Sequence, residues 1–148
     1  MADGDAGGPP PGAFRTGLRV HFSDCDAQGI VFNAHYLRFV DNAVEQWFDS
    51  KPELGGEHLW DFVVKRAEVE WSSSARAGDV LDVSAWVSRW GTTSFTASFV
   101  GVVGERPVFT TSLVYVTIDL DTGRPVPVPD SFRTALATTA GERARGVG

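Results

Sequence analysis

Cysteine is almost missing from this chain. The one thiol among 148 residues, Cys25, cannot close an internal disulfide, and one cysteine is too few for a cysteine-ligated metal. Positive charge is short as well. Lys and Arg number 13 against 19 Asp and Glu, giving a formal charge of −6 and an isoelectric point near 4.9. That balance lacks the basic face of a general nucleic-acid binder, so no nucleic-acid partner is expected. No apolar run approaches the ~20 residues of a membrane helix, so the expectation is a soluble protein with no membrane partner. Met1–Gly12 has neither the basic start nor the apolar stretch of a signal peptide. A cytoplasmic location is therefore expected. Neither a Gly-x-Gly-x-x-Gly nor a phosphate-loop pattern occurs, and His21, His35 and the nearby aspartates lack metal-ligand spacing. No cofactor and no metal are expected.

What is present suffices for one domain. Hydrophobic residues make up 43% of the chain and charged residues 22%, enough apolar side chain for a core. The ends are poor in such side chains. Residues 1–17 are mostly Gly, Ala, Asp and Pro, with Phe14 the only bulky apolar group, and residues 141–148 are rich in Gly and Arg. Neither end offsets its own ordering entropy, so both are expected to be flexible tails around a domain at 18–140.

Within that domain the hydrophobic period changes once. Leu18, Val20 and Phe22 alternate with polar neighbours, as in a strand. From Ala34 to Asp49 the apolar residues Leu37, Val40, Val44, Trp47 and Phe48 recur at helical spacing. Arg38, Asp41, Glu45 and Asp49 fall on another face, where Arg38 can pair with Asp41. Pro52 and Gly55-Gly56 end the helix. Beyond Trp60 the period becomes two. Val63, Ala67, Val69 and Trp71 share one side; Leu81 to Val87, Phe95 to Phe99 and Val108 to Ile118 follow as further strands. Turns are expected at Ala77-Gly78-Asp79, Gly91-Thr92-Thr93 and Gly104-Glu105-Arg106. The order is one strand, one helix and four strands joined by connections short enough for antiparallel neighbours. A helix on one face of an antiparallel sheet is an α+β arrangement.

The densest polar stretch joins the first strand to the helix and contains Asp24 and Asp26. In an extended segment these two carboxylates point the same way. In a turn, one caps local N–H groups while the other projects into a cleft. Cys25 lies between them, where two carboxylates disfavour the thiolate a cysteine nucleophile needs; a small, partly buried side chain is the better reading.

The segment Asp24-Cys25-Asp26-Ala27-Gln28-Gly29-Ile30-Val31-Phe32-Asn33-Ala34-His35-Tyr36 resembles the signature of the 4-hydroxybenzoyl-CoA thioesterase family. Gly91-Thr92-Thr93-Ser94-Phe95 resembles a second stretch common in that family. The resemblance implies a hotdog fold, in which an antiparallel sheet wraps a long central helix, and an acyl-thioester hydrolase. It makes Asp26 the catalytic carboxylate, acting on the thioester as nucleophile or as general base toward water. It makes the backbone N–H of Asn33 the oxyanion donor, a group suited to that task at a helix N-terminus. Gly29 is then a tight-turn residue permitting close approach of substrate.

The sequence also departs from that family. Asn33 stands where some relatives carry His or Tyr, and an amide side chain cannot move a proton. His35 stands where relatives often carry a small or amide residue, and is a candidate substrate contact. Val44 replaces an Arg common on the helix. A basic cluster that one type of relative carries near Trp90–Thr93 is missing, so Arg66, Arg89 and Arg106 become the candidates for coenzyme A phosphates. Acyl carrier protein remains an alternative donor. The resemblance implies a homodimer or homotetramer with its active site at the subunit boundary. Two competing readings are a hotdog hydratase or dehydratase, whose signature the Asp26–His35 spacing does not match, and a non-catalytic acyl-binding or scaffold protein. The retained Asp26 counts against the second.

Overall fold

The computed structural model describes residues 8–137, so the expected tail at 141–148 lies outside the described residues. Helix α1 spans His35–Asp49. Its buried stripe is Tyr36, Phe39, Val40, Ala43, Val44 and Trp47, spaced at three and four residues. Leu37 falls one position outside that stripe and stays partly exposed, contrary to its expected core place. Each large apolar side chain buried here contributes about 1.5–3 kcal/mol.

Five strands form one antiparallel sheet: β1 (Phe14–Arg19), β2 (Trp60–Trp71), β3 (Val80–Trp90), β4 (Ser94–Val103) and β5 (Arg106–Asp119), in the order β1-β3-β4-β5-β2. The expected short connections hold for β3, β4 and β5, which follow one another as hairpins. They fail for β2. It pairs with β5 rather than β3, so Ser72–Asp79 carries the chain from one margin of the sheet toward the other.

Two differences from the sequence pattern have physical causes. β1 begins at Phe14, so Phe14–Gly17 is a paired strand rather than the end of a loose tail. The Phe14 ring stacks on Trp47 at 6.5 Å, and Thr16 donates to Gln46 Oε1 at 2.5 Å, contacts that anchor this short segment. In β2 a bulge between Val64 and Arg66 inserts one unpaired residue. The insertion reverses the parity of the strand and turns Val63 away from the face that holds Ala67, Val69 and Trp71.

The helix lies against the inward face of Leu81, Val83, Ala85, Val87, Phe95, Ala97 and Phe99, the alternation expected of β3 and β4, and of Phe109, Leu113 and Tyr115 on β5. Gly101 belongs to this face because a Cβ there would overlap the Phe109 ring. A short helix, α2 (Asp130–Leu136), closes the end of the sheet near Trp60, with Phe132, Ala135 and Leu136 buried. Seven residues after a Pro-rich run carry too little periodicity for the sequence to reveal it.

Candidate active site

The polar stretch between β1 and α1 is a 3₁₀ turn followed by a tight hairpin. Phe22–Asp24 form the turn. The chain then runs out through Cys25 and back through Val31, which face each other in an antiparallel bridge. Asp26 N–H donates to Ile30 O at 2.9 Å, and Gly29 N–H donates to Asp26 O at 2.9 Å. Gly29 closes the hairpin at φ +79°, in the left-handed region. A Cβ there would meet no neighbour, so backbone conformation rather than crowding calls for glycine. The return strand is tied to the β2–β3 crossing by Val31 N–H to Ala75 O at 3.0 Å and by the bridge between Ile30 and Arg76.

This turn gives the two aspartates opposite environments. Asp24 is buried, with one carboxylate oxygen accepting His21 N–H at 2.8 Å and the other paired with the Arg38 guanidinium. Arg38 therefore engages Asp24, not Asp41 as helical spacing suggests. Asp26 is exposed. One of its oxygens accepts Gln28 N–H at 2.8 Å, an Asx turn that holds the side chain beside its own hairpin. Cys25 is half-buried with its thiol directed at His21 O, 3.8 Å away, consistent with a packing side chain.

Asn33 is exposed at the entrance to α1. Its backbone N–H has no hydrogen-bond partner among the described residues, whereas Phe32 N–H donates to Asp24 O and His35 N–H to Phe32 O. The helix has Ala34 at its N-cap, which offers no side-chain acceptor. A free donor thus stands at the positive end of the α1 dipole, on the chain that returns from Asp26.

The Thioesterase-like superfamily sequence profile matches residues 20–136. The chain belongs to that superfamily. An acyl-CoA thioesterase YbgC of Helicobacter pylori strain J99 is 22% identical over 133 residues, covering 80% of this chain and 96% of the relative. An acyl-CoA thioester hydrolase YbgC of Escherichia coli O6:H1 is 32% identical over 85 residues, covering 55% of this chain and 63% of the relative. Among solved structures, a thioesterase superfamily protein from Jannaschia superposes with a TM-score of 0.79 at 26% identity, over 86% of this chain and 93% of that one. A 1,4-dihydroxy-2-naphthoyl-CoA thioesterase from Synechocystis gives 0.75 at 21% identity, over 84% and 96%. The fold is the α+β hotdog fold.

In this member of the thioesterase-like superfamily the other candidate residues fall in two groups, His35 and Arg106 near the hairpin and Arg66 and Arg89 on the outer face of the sheet. His35 is half-buried and donates its Nδ1–H to Asp24 O at 3.0 Å, since a carbonyl can only accept. Arg106 donates to Ser73 Oγ at 2.7 Å and Ser74 O at 2.8 Å and lies 3.6 Å from Asp79, clasping the β2–β3 crossing next to the hairpin. Arg66 pairs with Glu68 at 3.1 Å on β2, both exposed. Arg89 sits beside Trp90 at the end of β3 opposite the end that adjoins Arg19. Through Thr96 and Val114 the register sets Arg89 and Arg66 in one row on the outer face of the sheet, three strands apart, while Arg106 lies away from both at the start of β5. Sequence reasoning missed one hydroxyl: Tyr36 is buried and its Oη accepts Ala75 N–H at 3.1 Å. Burial raises the Tyr36 pKa, the Ala75 hydrogen bond opposing in part, so the phenol stays neutral. The signal was its place at the end of the recognised motif, one residue inside the helix start.

Proposed function

We propose that this chain hydrolyses acyl-CoA thioesters at the Asp26 hairpin. Membership in the thioesterase-like superfamily makes the chain a thioesterase, and its YbgC relatives are named for acyl-CoA substrates. One observation carries the assignment to residues: an exposed carboxylate and an unpartnered N–H occur on the two arms of one hairpin, at a helix N-terminus. In the reaction Asn33 N–H receives the charge that develops on the thioester oxygen. The Asp26 carboxylate either attacks the carbonyl carbon, expelling the thiolate and leaving an anhydride for water to open, or takes a proton from the attacking water. Gly29 keeps the hairpin tip free of a side chain, and His35 steadies the arm that carries Asp26. Acyl carrier protein presents the same thioester and is the second donor to assay. Arg106, next to the hairpin, is a better placed phosphate contact than Arg66 or Arg89.

The assembly is a homo-oligomer, at least a dimer. Val64 and Trp71 lie on the helix-facing side of β2 yet are 53% and 51% exposed, and the outer edge of β2 has no partner strand among the described residues. Such an edge calls for covering. A second copy seated there brings its surface to the hairpin of the first. Light scattering tests this, and a stable monomer at micromolar concentration refutes it. Thiol release from short aliphatic, long aliphatic and aryl CoA thioesters tests the activity. Turnover of at least one, lost in Asp26→Asn, is expected; no turnover of any of them refutes the reading.

A further inference from the structure

Asp24 collects donors from every segment around the hairpin. Its carboxylate takes His21 N–H from the chain before the turn and the Arg38 guanidinium from the second helical turn. Its backbone oxygen takes Phe32 N–H from the return arm at 3.3 Å and His35 Nδ1–H from the first helical turn at 3.0 Å. The hydrogen bonds of Asp26 itself, to Gln28, Gly29 and Ile30, all stay within the hairpin. They shape the tip but do not orient it. The return arm is fixed to Ala75 and Arg76, while the outgoing arm, which bears Asp26, is fixed to α1 through Asp24. The Asp24 side chain is 3% exposed and that of Arg38 66%, so a guanidinium open to solvent serves as the counter-charge of a buried carboxylate.

We propose that Arg38 is a positioning residue for thioester hydrolysis, acting through Asp24 to set the Asp26 arm against the first turn of α1. The proposal rests on the reading of Asp26 as the reacting carboxylate. Without Arg38, the Asp24 carboxylate keeps only His21 N–H among its described partners, and a buried anion so poorly matched moves toward water. Asp26 follows two residues behind. A displacement of about 1 Å at a reacting group costs roughly 100-fold in rate.

The test is a graded series at position 38, assayed on the acyl-CoA thioester that wild type turns over best. Lysine keeps a point charge without the planar fork, glutamine keeps a donor without charge, and alanine keeps neither. The expected order of kcat is wild type, Arg38→Lys, Arg38→Gln, Arg38→Ala, ending roughly 10- to 100-fold down, with KM little changed. Because the side chain is open to solvent, guanidinium chloride at sub-denaturing concentration restores part of the Arg38→Ala rate. Sodium chloride at equal ionic strength does not, and guanidinium gives nothing to Asp26→Asn. The double variant Asp24→Asn/Arg38→Ala loses no more than the worse single variant. A flat kcat series, a loss confined to KM, or a loss that follows melting temperature without guanidinium rescue overturns the positioning role. An inactive Asp26→Asn beside a wild-type-like Arg38→Ala overturns that role alone. A fully active Asp26→Asn removes the underlying reading instead.

Discussion

The two ends of α1 are built from different chemistry. At its N-terminus a hairpin is held by backbone bonds, a buried aspartate and a surface arginine, and the proposed reacting groups, on Asp26 and Asn33, are exposed. At its C-terminus Phe48 meets Phe62 and Phe132 edge-on, at 5.2 and 5.4 Å, and Phe62 meets Tyr115 at 5.1 Å. Aromatic packing resists unfolding and tolerates no gaps. Directional polar bonds fix a few atoms in place and leave the rest of the hairpin open. The contrast assigns rate to one end and stability to the other, and substitutions can separate the two.

Asp26→Asn should have the largest effect, lowering kcat by roughly 10²–10⁴-fold with a melting temperature near that of wild type. Steady-state kinetics with a thermal melt checks both halves, and Cys25→Ser in the same assays should stay close to wild type. Phe132→Ala should do the reverse, costing about 3–5 kcal/mol of stability while kcat of the folded fraction holds. Denaturant unfolding supplies the first figure. A fall in kcat beyond the unfolded fraction would join the two ends and break the comparison. Tyr36→Phe lies between them: it leaves Ala75 N–H without its acceptor, for about 1–3 kcal/mol, and loosens the crossing that holds the return arm of the hairpin.

An alkaline titration sharpens the comparison further. Burial raises the pKa of the Tyr115 phenol, with the negative charge of Asp41 adding to the shift, and burial raises that of Tyr36. A raised folded-state value means that unfolding eases ionisation. Stability from these tyrosines is fully present below about pH 10 and is lost as pH rises through their folded values. Circular dichroism melts should show that loss, and Tyr115→Phe should make it shallower. The smallest effect belongs to Arg66→Ala. Its exposed pair with Glu68 should be worth under about 1 kcal/mol.

Much of this fold was legible because burial imposes a period. α1 as an element and the inward residues of β3 and β4 follow from spacing alone. What escaped depended on events of one residue or on distant partners. The bulge at Lys65 changes the facing of Val63 without any mark in the hydrophobic pattern. The start of β1 depends on Trp47 and Gln46, thirty or more positions away. At the site, motif resemblance singled out Asp26 and Asn33, but spacing could not divide the labour of the two aspartates. The 3₁₀ turn at Phe22–Asp24 does so, sending one carboxylate inward and leaving the other outside. Arg38 was given the wrong partner because helical spacing counts only neighbours on the same helix.

The crossing of β2 past its sequence neighbour sets the order in which the chain can assemble. β3, β4 and β5 are hairpin-connected and close short loops, whereas Trp60 must find Asp119 and Phe14 must find Ala85. Chain entropy taxes those distant pairings most, so the central meander should form early and the two margins should join last. The Asp26 hairpin bonds to the crossing at Ala75 and Arg76, which is settled only once β2 has docked. In pulse-labelled hydrogen exchange, β4 amides should gain protection before those of Val31 and Ala75. A nascent chain thus completes its sheet before the hairpin that bears Asp26 takes its final shape.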